Sequence, residues 1–330
     1  MKKLFVIFLI LVLTGAFVFA GGGKDAGSGK VINITMANPS NPQDNCVKGF
    51  FHFKEVAEKN SNGRIAVDVK HSAQLGAQRD YMEQMQMGSL EMAEINVAVL
   101  SGFDSKFMVF DLPYVSKSVA HLQQLLDGGL AKTFRESLEA STGITITGWM
   151  IRSPRIMYIQ TKPVHAVSDF AGLRIRIMES PVMRRTFELL GAVPVPLATN
   201  ERYMALQTGV VDGAENSASF IIAQKEYEVT KFVSRTEHFI SPNIVAMSLK
   251  FFKGLPADLQ KVVLDAGDAA GRLATKLDSE GEADSLKELT RLGMTVNNIT
   301  DKTPFIEKVR PIYGEYRDRI GGALIDAFTK

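Results

Sequence analysis

The chain has one cysteine, Cys46, and one tryptophan, Trp149, in 330 residues. A single cysteine forms no internal disulfide and offers no paired thiolates to a zinc ion, so Cys46 reads as a packed or loop residue rather than a reactive one. Five histidines (His52, His71, His121, His165, His238) never approach metal-ligand spacing, and no H-E-x-x-H or acidic calcium loop occurs. No G-x-S-x-G elbow and no Cys–His pairing is present either. No metal and no cofactor is therefore expected, and catalysis has no visible machinery. An excess of charge is also missing. Without Lys2 and Lys3 the basic residues fall from 38 to 36, against 36 acids, and a neutral chain argues against nucleic-acid binding and against a polybasic membrane contact.

Long apolar runs are absent as well. Leu4–Leu13 is ten residues, too short to span a bilayer comfortably. Preceded by Lys2 and Lys3 and followed by Val18-Phe19-Ala20, it reads as a secretory signal over residues 1–20, with a retained anchor as the alternative. Gly21 stands where a lipoprotein needs cysteine, so lipidation is not expected and the chain is read as exported to the periplasm. Gly21–Lys30 (GGGKDAGSGK) lacks the preceding strand and glycine spacing of a phosphate loop and reads as a flexible linker.

What is present is an α/β pattern with 45% hydrophobic residues. About 300 mature residues are more than one ordinary core holds, which predicts two domains. Val31–Met36 alternates as a strand, Asn38–Asp44 is a loop, Lys48–Lys59 is an amphipathic helix, and Arg64–Val69 alternates again. This is a β-α-β unit of a largely parallel sheet. Helical spacing over Ala77–Met87 and a strand at Leu90–Ala93 extend it. The pattern Q-x-G-x-x-[DE]-x-A-E occurs at Gln86–Glu94 and again at Gln207–Glu215, each copy after an amphipathic helix with a tyrosine (Tyr81, Tyr203). One copy per lobe predicts two related lobes facing across a cleft, since open α/β sheets bind ligands beyond the carboxyl ends of their strands. A strand at Ile244–Leu249 and helical spacing over Leu255–Leu292, with Pro256 in its first turn, follow. That helix, about 50 Å long, could brace both lobes, and Gly267, Gly271 and Gly281 predict kinks in it.

Candidate chemistry collects between Gly172 and Asn216. GLRIRI sets Leu173, Ile175 and Ile177 on one strand face and Arg174 and Arg176 on the other. A guanidinium grips a carboxylate through two parallel hydrogen bonds, so either arginine suits holding an acid, with Arg176 the stronger candidate. Arg155 reads by pattern as a solvated charge, and Asn216 as either a ligand donor or an Asx-type turn cap. Glu91 with Glu94, and Asp212 with Glu215, are spaced for acid–base work, but their repeated place after a helix-ending glycine points to turn and strand-edge roles. Trp149 and the aromatic stretch 50–53 read as core.

At these residues the chain resembles the solute-binding proteins of tripartite ATP-independent periplasmic (TRAP) transporters, the DctP family. GRIAVDV, QLGAQRDYMEQMQMGSLEM, FDLPYV, the KPV…VSDFAGLRIR block, LGAVPVPL and YMALQTGVVDGAEN fall in family order from about Ile32 to Pro311. The resemblance implies a two-lobed periplasmic-binding-protein-like fold, with a hinge of crossing strands and a long kinked helix spanning both lobes. Lobe I would be 31–152 plus 242–281, and lobe II 153–241 plus 282–330. It implies a protein that is no enzyme. It would capture a small organic acid, such as a C4-dicarboxylate or a uronate, and pass it to TRAP permease membrane subunits. The family's ligand arginine falls on Arg176, a second on Arg155 and the closing asparagine on Asn216. Asn38 and Asn96 are expected to complete the shell from the other lobe. Thr199, where the family commonly has an aromatic, and the Asn-rich loop 38–45 bear on which acid is bound. Nothing demands a dimer, so a monomer is expected. The rival readings are an exported lyase or hydrolase of hydroxy-acids and a ligand-presenting partner of a sensor.

Overall fold

The computed structural model describes residues 31–329; the signal and linker readings fall on residues 1–30, outside that range. In chain order the strands among the described residues are β1 (Ile32–Ala37), β2 (Ile65–Lys70), β3 (Met92–Asn96), β4 (Ile144–Met150), β5 (Arg155–Ile159), β6 (Arg174–Ile177), β7 (Val193–Pro196), β8 (Gly213–Asn216), β9 (Phe232–Phe239), β10 (Asn243–Ser248) and β11 (Thr295–Asn298). They form two sheets, ordered β2-β1-β3-β10-β4 and β11-β9-β5-β8-β6-β7. In the first, β1, β2 and β3 are parallel and β10 is antiparallel to both β3 and β4. The second mixes parallel pairs (β6 with β7 and β8, β9 with β11) with the antiparallel pairs β5–β8 and β5–β9.

The predicted β-α-β unit is present: the helix Asn45–Asn60 joins β1 to β2. Its N-cap is Asp44, whose carboxylate accepts from the Cys46 N–H at 2.8 Å. Both glycines of the repeated motif end their helices in the left-handed conformation, Gly88 at φ 79° and Gly209 at φ 69°. The first acid of each copy then does the same job. Glu91 accepts from the Thr35 N–H (2.9 Å) and Asp212 from the Arg174 N–H (2.8 Å), each on the neighbouring parallel strand. The strand-edge reading therefore holds for Glu91 and Asp212, whereas the motif's final acids, Glu94 and Glu215, lie buried within β3 and β8.

The chain crosses between the sheets three times: at 151–154 between β4 and β5, at 240–242 between β9 and β10, and along the helix Ala257–Arg291 on its way to β11. The first two crossings lie side by side, since β10 pairs with β4 and β9 with β5. The 35-residue helix is continuous and packs its Val263, Ala266, Ala270 and Ala274 face with Phe50, Phe53 and Val67 of the first lobe. Its far end brings Leu289 to the second lobe's core beside Tyr158 and Leu206. A third core runs through both lobes and takes in the C-terminal helices. Phe328 meets Phe110 edge-to-face at 5.4 Å, and the Tyr313 hydroxyl donates to the Pro113 carbonyl at 2.8 Å.

Two of the helical glycines have a packing reason. A Cβ on Gly271 would lie 2.3 Å from the Trp149 carbonyl oxygen, and one on Gly267 would lie 2.5 Å from that of Thr147, so the helix backbone rides directly on β4. Gly281 meets nothing within 4 Å. Gly271→Ala is therefore expected to destabilise the protein by about 1–3 kcal/mol through overpacking. Gly281→Ala should stabilise it by about 0.5–1 kcal/mol through helix propensity. Chemical denaturation of the two variants checks this, and equal effects of the same sign would refute the packing account.

Candidate functional site

The carboxyl ends of β1, β3, β6 and β8 face one cleft between the sheets, and the residues just beyond them line two adjoining cavities. One, of about 150 Å³, is lined by Arg176, Leu197 and Ala198 of the second lobe and by Arg79 and Asp80 of the first. The other, of about 20 Å³, is lined by Ser40, Glu94 and Asn96 from one side and by Arg155, Arg202 and Asn216 from the other. Gln78, Met178 and Thr199 border both. The lobes touch beside the cleft, where Asn41 Nδ2 donates to the Ala223 carbonyl at 2.6 Å.

Four arginines are buried among the described residues, and all stand around this cleft: Arg152, Arg155, Arg176 and Arg202. Three of them have carboxylates. Arg152 donates to Asp44 (2.8 and 3.0 Å) and pairs with Asp278 at 3.5 Å. Arg155 is bound to Glu215 through Nε and through Nη2 at 2.6 Å. Arg202 Nε donates to Glu226 at 2.7 Å, and its guanidinium lies 4.4 Å from the centre of the Phe220 ring. Arg176 has none. Its Nε and Nη2 donate to the Leu197 carbonyl (2.9 and 2.5 Å), and its buried Nη1 has no partner. Burial, and after it the positive Arg202, pulls its pKa down to about 9. A cation so placed is stabilised by any anion that reaches Nη1.

The other arginine of the GLRIRI strand behaves differently. Arg174 opens β6, is exposed, and is clamped by Asp212 through Nε (3.1 Å) and Nη2 (2.5 Å). Two residues along the same face move a side chain from solvent to the cleft, so Arg174 secures the strand edge and Arg176 reaches the cavity.

Of the remaining expected residues, Arg155, Asn216 and Asn96 come together in the smaller cavity. Arg155, which pattern alone reads as a solvated charge, is 1% exposed. Asn216 lines the smaller cavity, and its Oδ1 accepts the Ser217 N–H (2.9 Å) and an Arg155 N–H (3.4 Å). Asn96 caps the turn after β3 through Ala98 (2.9 Å) and donates to Asn243 (2.7 Å). Asn38 is fully buried, holds the Ser40 N–H at 2.8 Å, and borders neither cavity, whereas its neighbours Pro39 and Ser40 do. Arg202 and Gln78, which are not among the residues expected from the sequence, also line the cavities. Arg202 shares a helix face with buried Ala205 and Leu206 at i+3 and i+4, a signal that it points inward. Gln78 opens a helix and carries no such mark.

Three buried titratable groups surround the site. Burial pushes Glu94 up to about 7, opposed by Arg152. It also lowers His238 to about 4, so this imidazole is neutral, with Nδ1 2.7 Å from the Thr236 hydroxyl. Asp111 receives the Ser180 hydroxyl at 2.6 Å, and Ser180 in turn caps the helix Pro181–Leu190. Burial raises Asp111 to about 7 against that hydrogen bond. Its folded pKa thus lies above its unfolded value. Between pH about 4 and 7 the unfolded chain releases a proton that the fold keeps, so this group's contribution to stability falls as pH rises. Relative to the parent, Asp111→Asn should gain stability with rising pH across that window, by up to about 1.4 kcal/mol per pH unit. Denaturation midpoints measured from pH 4 to 7 check this; a constant difference would count against the buried, protonated Asp111.

Residues 36–319 match the profile described as bacterial extracellular solute-binding protein, family 7 (DctP). The chain is 34% identical over 285 residues to the C4-dicarboxylate-binding periplasmic protein DctP of Rhodobacter capsulatus, covering 85% of each chain. It is also similar to a TRAP periplasmic solute-binding protein of Sulfitobacter sp. NAS-14.1 solved with β-D-galacturonate. That likeness has 31% identity and a TM-score of 0.86, and it covers 90% of this chain and 99% of that one. A TRAP periplasmic solute-binding protein of Sulfurospirillum deleyianum, solved with succinate, is 26% identical with a TM-score of 0.86, covering 91% and 99%. Both are two-lobed folds like this one.

Proposed function

Because this chain belongs to the DctP family of extracellular solute-binding proteins, we propose that it captures a small organic acid between its lobes and delivers it to a TRAP-type permease driven by an ion gradient. The observation that carries this reading is Arg176, a buried guanidinium that lines the cavity of about 150 Å³, with no carboxylate of its own and with its Nη1 unpartnered. The incoming carboxylate is its counter-ion. Arg155 and Asn216 shape the adjoining wall, and Asn96 and Asn38 support the loops that the first lobe closes over the ligand. The relatives hold galacturonate in one case and succinate in another, which supports an organic acid as the ligand class.

An acid enters the open cleft and pairs with Arg176 on lobe II (153–241 plus 282–330). Lobe I (31–152 plus 242–281) then swings about the crossings at 151–154 and 240–242. Closure removes water from the ion pair and strengthens it. Release at the permease requires that the membrane subunits bind the open form better, because a ligand or partner shifts an equilibrium only by its differential affinity. The family's members are periplasmic binding proteins, and no described helix here is long and apolar enough to cross a membrane. We read the protein as exported, not lipidated, monomeric and without catalytic activity.

Arg176→Ala should lower the affinity for the best-bound acid by about thirtyfold or more, the loss expected when one partner of a buried charge pair is removed. Titration calorimetry against a panel of dicarboxylates, oxo-acids and sugar acids measures it. Undiminished affinity in a folded variant would remove Arg176 from the site and the reading with it.

A further inference from the structure

Resting on the capture of an acid by Arg176, we infer that Gln78 and Glu94 form a hydroxyl-reading wall, which makes the ligand a polyhydroxylated monocarboxylate rather than a dicarboxylate. The two side chains sit opposite the arginine side of the cleft. Gln78 borders both cavities and Glu94 borders the smaller one. Gln78 Nε2 donates to Glu94 Oε2 at 2.7 Å, which turns the amide oxygen the other way. That oxygen, on a residue only 6% exposed, is buried without a partner. The pair therefore offers acceptors. A ligand hydroxyl can donate to them; a second carboxylate, which only accepts, cannot.

Charge balance points the same way. The buried arginines Arg152, Arg155 and Arg202 are paired with the carboxyls of Asp44, Asp278, Glu215 and Glu226. A first ligand carboxylate has Arg176. A second would enter a cleft where each other buried guanidinium is already neutralised, and where Glu94 is paired only with an uncharged amide. Arg202 Nη2 is buried without a hydrogen-bond partner and can donate to a ligand oxygen, while Glu226 already balances the charge of the arginine. Glu94 is also the counterpart of Glu215 in the repeated motif. The second-lobe copy has an arginine partner, and the first-lobe copy has a glutamine. Burial already pushes the Glu94 carboxyl up to about 7, so a neighbouring ligand carboxylate would have to share a proton with it.

The test is calorimetric titration of the parent, Glu94→Gln, Gln78→Ala and Arg176→Ala proteins with D-galacturonate, D-gluconate and succinate at pH 7.5. The parent should bind at least one of the two hydroxy-acids at least about tenfold more tightly than succinate. Glu94→Gln should narrow that ratio from both ends, weakening the hydroxy-acid by about tenfold or more and strengthening succinate. Gln78→Ala should weaken the hydroxy-acid alone. Succinate binding the parent as tightly as either hydroxy-acid, while Arg176→Ala abolishes binding, overturns the hydroxyl-reading wall and leaves acid capture standing. A ratio unchanged by Glu94→Gln in a variant that melts like the parent overturns it too. Binding that survives Arg176→Ala, or no binding of any acid by the parent, instead defeats the underlying reading. The parent's own ratio decides the matter even if a variant fails to fold.

Discussion

Four guanidinium groups lie out of water between two sheets, and the rest of the molecule is arranged so that they can. Moving a charge from water into a protein interior costs several kcal/mol unless partners replace the lost hydration. Three of the four draw those partners from afar: Asp44 lies 108 residues from Arg152, Glu215 lies 60 from Arg155, and Glu226 lies 24 from Arg202. These pairs tie the N-terminal helix cap, β5, β8 and the turn after the Ala218–Ala223 helix into one charge-balanced wall. The fourth, Arg176, receives only the Leu197 carbonyl. A peptide dipole orients a guanidinium but does not neutralise it, so Arg176 keeps a charge that no group of the protein balances.

The hinge follows from the sheet topology. Two antiparallel crossings lie side by side, so the lobes can rotate about them with small dihedral changes spread over a few residues. The long helix and the C-terminal helices restrain that motion. The helix lies so close to β4 that glycine is needed at the contacts, while Leu289 near its far end is seated in the core beside Tyr158 and Leu206. The C-terminal helices reach back across, with Phe328 on Phe110 and Tyr313 on Pro113. Asp111 adds a polar tie at the same place through Ser180. Such ties fix which faces meet on closure.

The repeated motif shows how one local solution serves two ends. Gly88 and Gly209 end their helices in the same way, and Glu91 and Asp212 each hold an N–H of the adjacent strand. The motif's final glutamate then diverges by partner, Gln78 on one lobe and Arg155 on the other. The same residue at the same place in two equivalent strands thus has an uncharged amide as partner on one side and a guanidinium on the other.

Much of this was legible in the chain itself. Periodicity of two and of 3.6 placed β1, β2, the helix between them, β10 and the long helix to within a few residues, because those patterns record burial along a single element. The same alternation put Arg174 and Arg176 on one strand face, and family likeness then favoured Arg176. Pattern could not say that Arg155 is buried rather than solvated, nor that Arg202 and Gln78 reach the cleft while Asn38 stands behind its wall. Nor could it assign Gly267 and Gly271 to close packing, since their neighbours are backbone atoms of a strand more than a hundred residues away. Local pattern was enough for the main elements, their order and the presence of an arginine suited to an acid. Which buried arginine lacks a counter-ion emerges only on folding, because charge balance depends on distances between residues remote in sequence, and no local period encodes those.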